Sequence, residues 1–161
     1  MLLVGTTPLL AGGQVQDLPG NWVPTGLRRV SVAGVKGSST FAPESGQYAP
    51  ARAIDGNRGT KWVARVAPSP AAPQWITLEL FGTQEISAVA VFGERVDNDG
   101  IRDAQVQVAG LQAGEFTTVA ALQDARSSRW LATFVPVKTR AVRMLITRSG
   151  GPTTHTDVYE I

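Results

Sequence analysis

Trp75-Ile76-Thr77-Leu78-Glu79-Leu80-Phe81 alternates with a period of two. Ile76, Leu78 and Leu80 fall on one face, and Trp75, Thr77, Glu79 and Phe81 on the other. That is the pattern of a strand with one face in a core. Just downstream, Ile86 to Phe92 is apolar almost throughout, as suits a central strand covered on both faces.

The pattern recurs in both directions. Arg29-Val30-Ser31-Val32, Gln105-Val106-Gln107-Val108 and Ala141 to Ile146 alternate, and Phe116 to Leu122 and Trp130 to Val135 read as further strands. Gly37 to Pro50 is a loop rich in Ser, Gly and Pro. Pro68, Pro70 and Pro73 keep Ala67 to Pro73 out of helix or central strand. No segment carries a helical apolar stripe over a dozen residues. About eight short antiparallel strands joined by Gly/Pro loops predict an all-β sandwich or barrel.

A chain of 161 residues, 43% hydrophobic and 17% charged, is long enough for one domain with a real core. Fifteen basic and thirteen acidic residues are interspersed. That gives no basic patch for nucleic acid and none for an anionic membrane. There is no cysteine and a single histidine, so disulfides, thiolate sites and multi-histidine zinc or copper sites within the chain are excluded. Any metal must be held by oxygen.

Residues 1–26 read as an N-terminal arm or linker, punctuated by Gly12-Gly13, Pro19-Gly20 and Pro24. The apolar run in Met1 to Gly13 is far short of a membrane span, and it reads as a domain leftover or a signal remnant. Trp22 is expected to dock on its own domain. The domain proper runs from 27 to 161.

Ala51 to Trp62 reads Ala-Arg-Ala-Ile-Asp-Gly-Asn-Arg-Gly-Thr-Lys-Trp. Gly56 and Gly59 permit tight backbone turns, while Asp55, Asn57 and Thr60 supply oxygens. A tight loop of this chemistry suits a hard cation such as calcium. It equally suits a surface turn in which Asp and Asn bond their own backbone.

Around that loop, five pieces stand in order: Gly37-Ser38-Ser39-Thr40-Phe41, Tyr48-Ala49-Pro50, Ala53 to Trp62, Gln74 to Leu80, and Val158-Tyr159-Glu160-Ile161. Together they resemble the discoidin, or coagulation factor V/VIII C-type, domain and its relative, the family 32 carbohydrate-binding module. The resemblance implies a jelly-roll sandwich with a galactose-binding-like fold. It also implies a structural Ca2+ held by the Arg52 carbonyl, the Asp55 carboxylate, the Asn57 carbonyl, Thr60, the Tyr159 carbonyl and the Glu160 carboxylate. Trp62 and Trp75 match core positions of the family.

A second constellation is Glu94-Arg95-Val96-Asp97-Asn98-Asp99-Gly100-Ile101-Arg102. It lies between two strands, where a sandwich displays binding loops. Arginine offers a planar fork of donors for adjacent sugar hydroxyls, and a nearby carboxylate steadies it. The candidate ligand contacts are Arg95, Asp97, Asn98 and Arg102, and the resemblance implies an arginine in this loop. The spacing Arg95-x-Asp97 to Arg102 is also similar to that of fucose-binding F-type lectins. Those lectins need an upstream histidine, and Ala67-Pro68-Ser69 has none. Val63 stands where galactose-binding family 32 modules often have histidine. The same residues also suit a solvated turn with local ion pairs.

His155, in Gly150 to Asp157, is a third candidate for a sugar hydroxyl, or else an ordinary exposed loop residue. A sugar site usually shows an aromatic ring, and the candidates are Phe41, Tyr48, Trp130 and Trp22. No nucleophile elbow, cysteine nucleophile or phosphate-cradling glycine loop occurs, so no enzyme is expected. The expected function is a non-catalytic, calcium-stabilised carbohydrate-binding module of a larger secreted or surface protein, with glycan or glycoprotein as partner. The alternative is a discoidin-type protein-binding or architectural domain. The loop tips are mainly Ser, Gly, Asp, Asn and Thr, which argues against membranes.

Overall fold

The computed structural model describes residues 2–4, 13–19, 22, 25–110, 114–151 and 155–161. Most of Met1 to Gly13, and Pro152-Thr153-Thr154 of the last loop, lie outside them. Among the described residues there are ten strands, all paired antiparallel: β1 (Leu2–Val4), β2 (Gln14–Asp17), β3 (Arg28–Arg29), β4 (Val32–Gly37), β5 (Trp62–Ala64), β6 (Gln74–Gly93), β7 (Ile101–Ala109), β8 (Phe116–Leu122), β9 (Arg129–Ser149) and β10 (Thr156–Glu160). Two short 3-10 helices, Pro43–Ser45 and Pro50–Ala53, lie between β4 and β5. No described helix is long and apolar enough to cross a membrane.

The fold is the expected all-β jelly-roll sandwich, with one difference in how its strands are cut. Trp75–Phe81 and Ile86–Phe92 are halves of a single strand, β6, and Trp130–Val135 and Ala141–Ile146 are halves of β9. The first half of β6 pairs with β4 and with the second half of β9, which continues to β7 and β8. Its second half pairs with β1, β10 and the first half of β9, whose far edge carries β2. The ladder slips between Glu79 and Gln84, where Gly82 takes a left-handed φ of 70°. A glycine there lets the strand turn a corner that a side chain would resist.

The alternation of β6 is realised as read: Ile76, Leu78 and Leu80 are buried, and Trp75, Thr77 and Glu79 are half-buried on the opposite face. Trp75 is thus not a core residue, because it shares its parity with the outward side chains. Trp62 is wholly buried, and its indole N–H donates to the Ser39 carbonyl at 3.0 Å. Gly37 passes so close that a Cβ there would sit 2.9 Å from the Trp62 indole nitrogen. Trp130 is also buried in the central core, with Phe134, Met144 and Ile146.

The second half of β6 is apolar on both faces because both are covered. One faces the central core. The other, Ala88, Ala90 and Phe92, is covered by Leu18, Leu27 and Trp22, with the Trp22 and Phe92 rings 6.4 Å apart. The segment before Leu27 therefore contributes two strands and an apolar cover to the sandwich.

Candidate functional site

The loop from Ile54 to Lys61 is built by its own side chains. The Asp55 carboxylate accepts the Asn57 N–H at 2.9 Å and the Thr60 hydroxyl at 2.8 Å. The Asn57 side chain accepts the Gly59 N–H at 2.9 Å, and its carbonyl accepts the Thr60 N–H at 3.1 Å. Gly56 takes a φ of 78°. These are Asx-type turns, the local bonding open to short polar residues.

Two bonds tie this loop to the C-terminal strand. The Gly56 N–H donates to the Glu160 carboxylate at 3.1 Å, and the Ile161 N–H to the Ala53 carbonyl at 2.8 Å. Arg29 takes the other Glu160 oxygen at 3.3 Å, and Arg52 lies 3.6 Å from Asp55. Burial pushes the Glu160 carboxyl up, Gly56 and Arg29 oppose it, and the nearby Asp55 charge adds to it. Asp55 lies at the surface; burial acts upward on its carboxyl, but Thr60, Asn57 and Arg52 bring it below its usual value. The Asp55 and Glu160 charges thus oppose each other on either side of Gly56, and each is met by an arginine, Arg52 and Arg29. No cluster of three or more His, Asp or Glu side chains suited to a metal occurs among the described residues. A metal here would draw on backbone carbonyls and the Thr60 hydroxyl beside the two acids.

Beside this clasp lies a charge network that sequence reasoning missed. The Lys61 ammonium contacts Asp157 and, at 3.5 Å, Glu94. Tyr159 donates its hydroxyl to Glu94 at 2.7 Å. The Asp157 side chain is only 2% exposed. Burial works against the Lys61 charge, but Asp157 chiefly, with Tyr159 and Glu94, holds it above the usual lysine value. Burial raises Asp157 in turn. One oxygen each of Asp99 and Asp157, and the Thr156 hydroxyl, are buried without a protein partner. The sequence carries no local signal for it: Glu94 and Asp157 stand 33 and 96 residues from Lys61 and meet it only through tertiary pairing.

The loop from Glu94 to Gly100 is a compact turn. Asn98 and Gly100 donate backbone N–H groups to the Arg95 carbonyl at 2.9 and 3.0 Å. The Arg95 guanidinium, on a side chain 77% exposed, forks onto Asp97 at 3.1 and 2.6 Å. Each group stabilises the other's charged form, Asp97 below and Arg95 above its ordinary value. Asn98 is exposed at the tip. Arg102 faces the other way, donating to the Val96 carbonyl at 3.2 Å and the Ala125 carbonyl at 3.3 Å; it buckles this loop to the next one. The structure therefore brings Arg95, Asp97 and Asn98 together on the surface and turns Arg102 inward.

His155 is half-buried, with Nδ1 3.1 Å from the Ala64 carbonyl. Its ring stands 4.7 Å from that of Phe41, whose other neighbour is Tyr48 at 5.7 Å. Of the four aromatic candidates, Phe41 alone is exposed, at 39%. Two open clefts, of about 340 and 610 Å³, adjoin Ala121 to Asp124, the first against β7 and β9 and the second against β2. Neither is lined by a residue of the loops just described.

The F5/8 type C domain model matches residues 34–161. Among solved structures, the chain is similar to chitosan-binding module 2 from a Paenibacillus sp. IK-5 chitosanase/glucanase, in complex with chitotriose: 26% identity, TM-score 0.63, covering 79% of this chain and 92% of that one. It is similar to CpGH89CBM32-5 from Clostridium perfringens, in complex with GalNAc-beta-1,3-galactose: 20% identity, TM-score 0.66, covering 79% and 91%. The CBM32-1 and CBM32-2 domains of Clostridium perfringens ZmpB match at 14% identity and TM-score 0.72, over 96% of this chain and 41% of that one. Among curated proteins no sequence matches the chain.

Proposed function

This chain belongs to the F5/8 type C domain family, and on that premise we propose that it is a non-catalytic carbohydrate-binding module. The observation that carries the reading is the exposed Arg95 guanidinium, held flat by both Asp97 oxygens at a loop between strands. A fork pinned in this way donates to neighbouring hydroxyls with little ordering cost, and its carboxylate accepts hydroxyl protons. The likeness to carbohydrate-binding modules supports the same chemistry.

The finer reading is that calcium stabilises the domain. The loop offers the Asp55 carboxylate, the Thr60 hydroxyl and backbone carbonyls, and Asp55 and Glu160 repel each other across the Gly56 contact. That donor set fits a hard cation, with Arg52, Asn57, Thr60 and Tyr159 supplying the remaining oxygens. Calcium bound there would neutralise the pair and fasten the loop to β10. The module would then tether a larger secreted or surface protein to glycan or glycoprotein.

A glycan array with calcium present tests the reading. Wild-type protein is expected to bind, and Arg95→Ala to lose the signal. An empty array for wild type would overturn it in favour of the discoidin-type protein-binding role.

A further inference from the structure

The sheet built from β4, the first half of β6, the second half of β9, β7 and β8 turns one face away from the core. Two cross-strand rows cross that face: Trp75–Leu145–Gln105–Ala121 and Thr77–Arg143–Gln107–Thr118. Trp75, Leu145, Gln105 and Arg143 are half-buried. The open cleft of about 340 Å³ adjoins the Gln105–Ala121 end of the first row. None of these residues belongs to the Ile54–Lys61 or Glu94–Gly100 loops.

One arginine fixes the polarity of this face. The Arg143 Nε–H donates to Gln107 Oε1 at 2.8 Å. A guanidinium cannot accept, so Gln107 must show it the amide oxygen and point the amide nitrogen elsewhere. That nitrogen donates to Gln105 Oε1 at 2.9 Å and to Thr118 Oγ1 at 3.2 Å. Thr118 donates to the same Gln105 oxygen at 2.9 Å. Every side-chain acceptor of the network is therefore engaged from within. The groups left over are donors: the Gln105 amide nitrogen and the two terminal nitrogens of Arg143, none of which bonds a described residue.

Arg143 also lacks an anion. The described residues include all thirteen acids of the chain, and none pairs with it; burial alone acts on the guanidinium, lowering its proton affinity. Carboxylates on the same face are committed elsewhere, Glu79 to Lys36 and Asp103 to Arg148. The guanidinium carbon lies 3.9 Å from the centre of the Phe116 ring, a stacked contact that orients the fork.

We infer that this sheet face is a second binding site, for a uronate residue of an acidic glycan. The Arg143 fork takes the carboxylate, Gln105 donates to a neighbouring oxygen, and Trp75 with Leu145 packs against the C–H face of the sugar ring. A half-buried cation without a counter-charge, set among donors only, calls for an anion rich in acceptors. A carboxylate offers two oxygens in one plane to the end of a planar fork. Trp75 is the diagonal neighbour of Arg143 across the β6–β9 ladder, about 7–8 Å away, so a single pyranose bearing a carboxylate reaches both. The site stands apart from Arg95, and its chemistry does not depend on that loop.

The test is calorimetry with trisaccharides of galacturonate, glucuronate and mannuronate, each beside its uncharged methyl ester. Wild type is expected to bind at least one acid, and the matching ester at least about tenfold more weakly. Arg143→Gln is expected to lose the preference for the acid, Arg143→Lys to regain only part of it, and Arg95→Ala to keep it. In isotope-labelled wild type, the bound acid is expected to shift the NMR signals of the Gln105 side-chain amide and the Trp75 indole N–H, a readout that needs no variant to fold. Equal affinity for acid and ester would overturn the inference, as would binding of no acid, or shifts confined to the Glu94–Gly100 loop. Tighter binding of a sulfated trisaccharide than of any uronate would overturn the assignment to a carboxylate. Dimers in sedimentation that Arg143→Gln abolishes would assign the face to a second copy instead. In each of these cases the reading at Arg95 is judged by its own array.

Discussion

The N–H of Gly56 donates to the carboxylate of Glu160, joining positions 104 residues apart at 3.1 Å. The contact fixes an early loop to the last strand at the place where Asp55 raises the proton affinity of Glu160. If calcium occupies this clasp, a hundredfold excess over its dissociation constant adds about 2.7 kcal/mol. For a domain of this size that is roughly 5–10 °C of melting temperature. Differential scanning calorimetry with calcium and then with a chelator reads the shift. Asp55→Asn and Glu160→Gln are expected to abolish it, and an unchanged wild-type melting temperature would sink the cation.

Arg95→Ala is expected to weaken glycan binding by at least about tenfold. Its melting temperature should match wild type, since the pair with Asp97 is exposed and such pairs contribute little to stability. Arg102→Ala should do the reverse. Its guanidinium holds two backbone carbonyls, so thermal stability falls first and any loss of binding follows from a loosened loop. Melting curves beside titrations separate the two.

Lys61→Met removes the cation from between Asp157 and Glu94. It leaves a buried carboxylate uncompensated, which costs about 3 kcal/mol. Urea unfolding followed by tryptophan fluorescence measures it. A loss near zero would mean that Lys61 is a surface residue in solution.

Acid should expose the Asp103–Arg148 pair. The Arg148 fork, at 2.7 and 3.0 Å, chiefly holds the Asp103 carboxyl below its usual 3.8, helped by the Asp124 N–H and opposed by partial burial. A depressed carboxyl contributes stability at pH values above 3.8 and loses it as pH falls through the folded value. Asp103→Asn is therefore expected to melt below wild type at pH 7. The gap should close as pH falls under 3.8. A gap independent of pH would point to packing instead.

Trp62→Ala, at a wholly buried site, is expected to cost about 3–5 kcal/mol. It also strips the Ser39 carbonyl of its donor. Chemical denaturation gives the value.

The fold was legible because period-two alternation survives wherever one face of a strand is wet, as in Trp75 to Phe81. Continuous apolar runs marked where both faces are dry, as in Ile86 to Phe92. What sequence could not supply was continuity: a strand that bends at Gly82 reads as two strands, because the bend interrupts the pattern without ending the ladder. The segment before Leu27 read as an arm because its glycines and prolines outweighed two strands of three and four residues. At the site, Asp55, Glu160, Arg95 and Asp97 were visible as residue types in suggestive spacing. The inward turn of Arg102 was not, since a half-buried arginine bonding carbonyls looks the same in sequence as an exposed one. The Lys61 network was hidden for a related reason: its partners at Glu94 and Asp157 meet only through tertiary pairing.

That β6 and β9 each run through both sheets has a kinetic consequence. Gln74 must find Ile146, and Phe92 must find Arg129, before either layer has a centre. Closing so long a loop first is entropically costly, which predicts a slow-folding chain. Once the two long ribbons have zipped, neither layer can peel away without tearing the other. Amides along both should then exchange with solvent together, as one cooperative unit. Loops carried on such a body would keep one shape in the free protein.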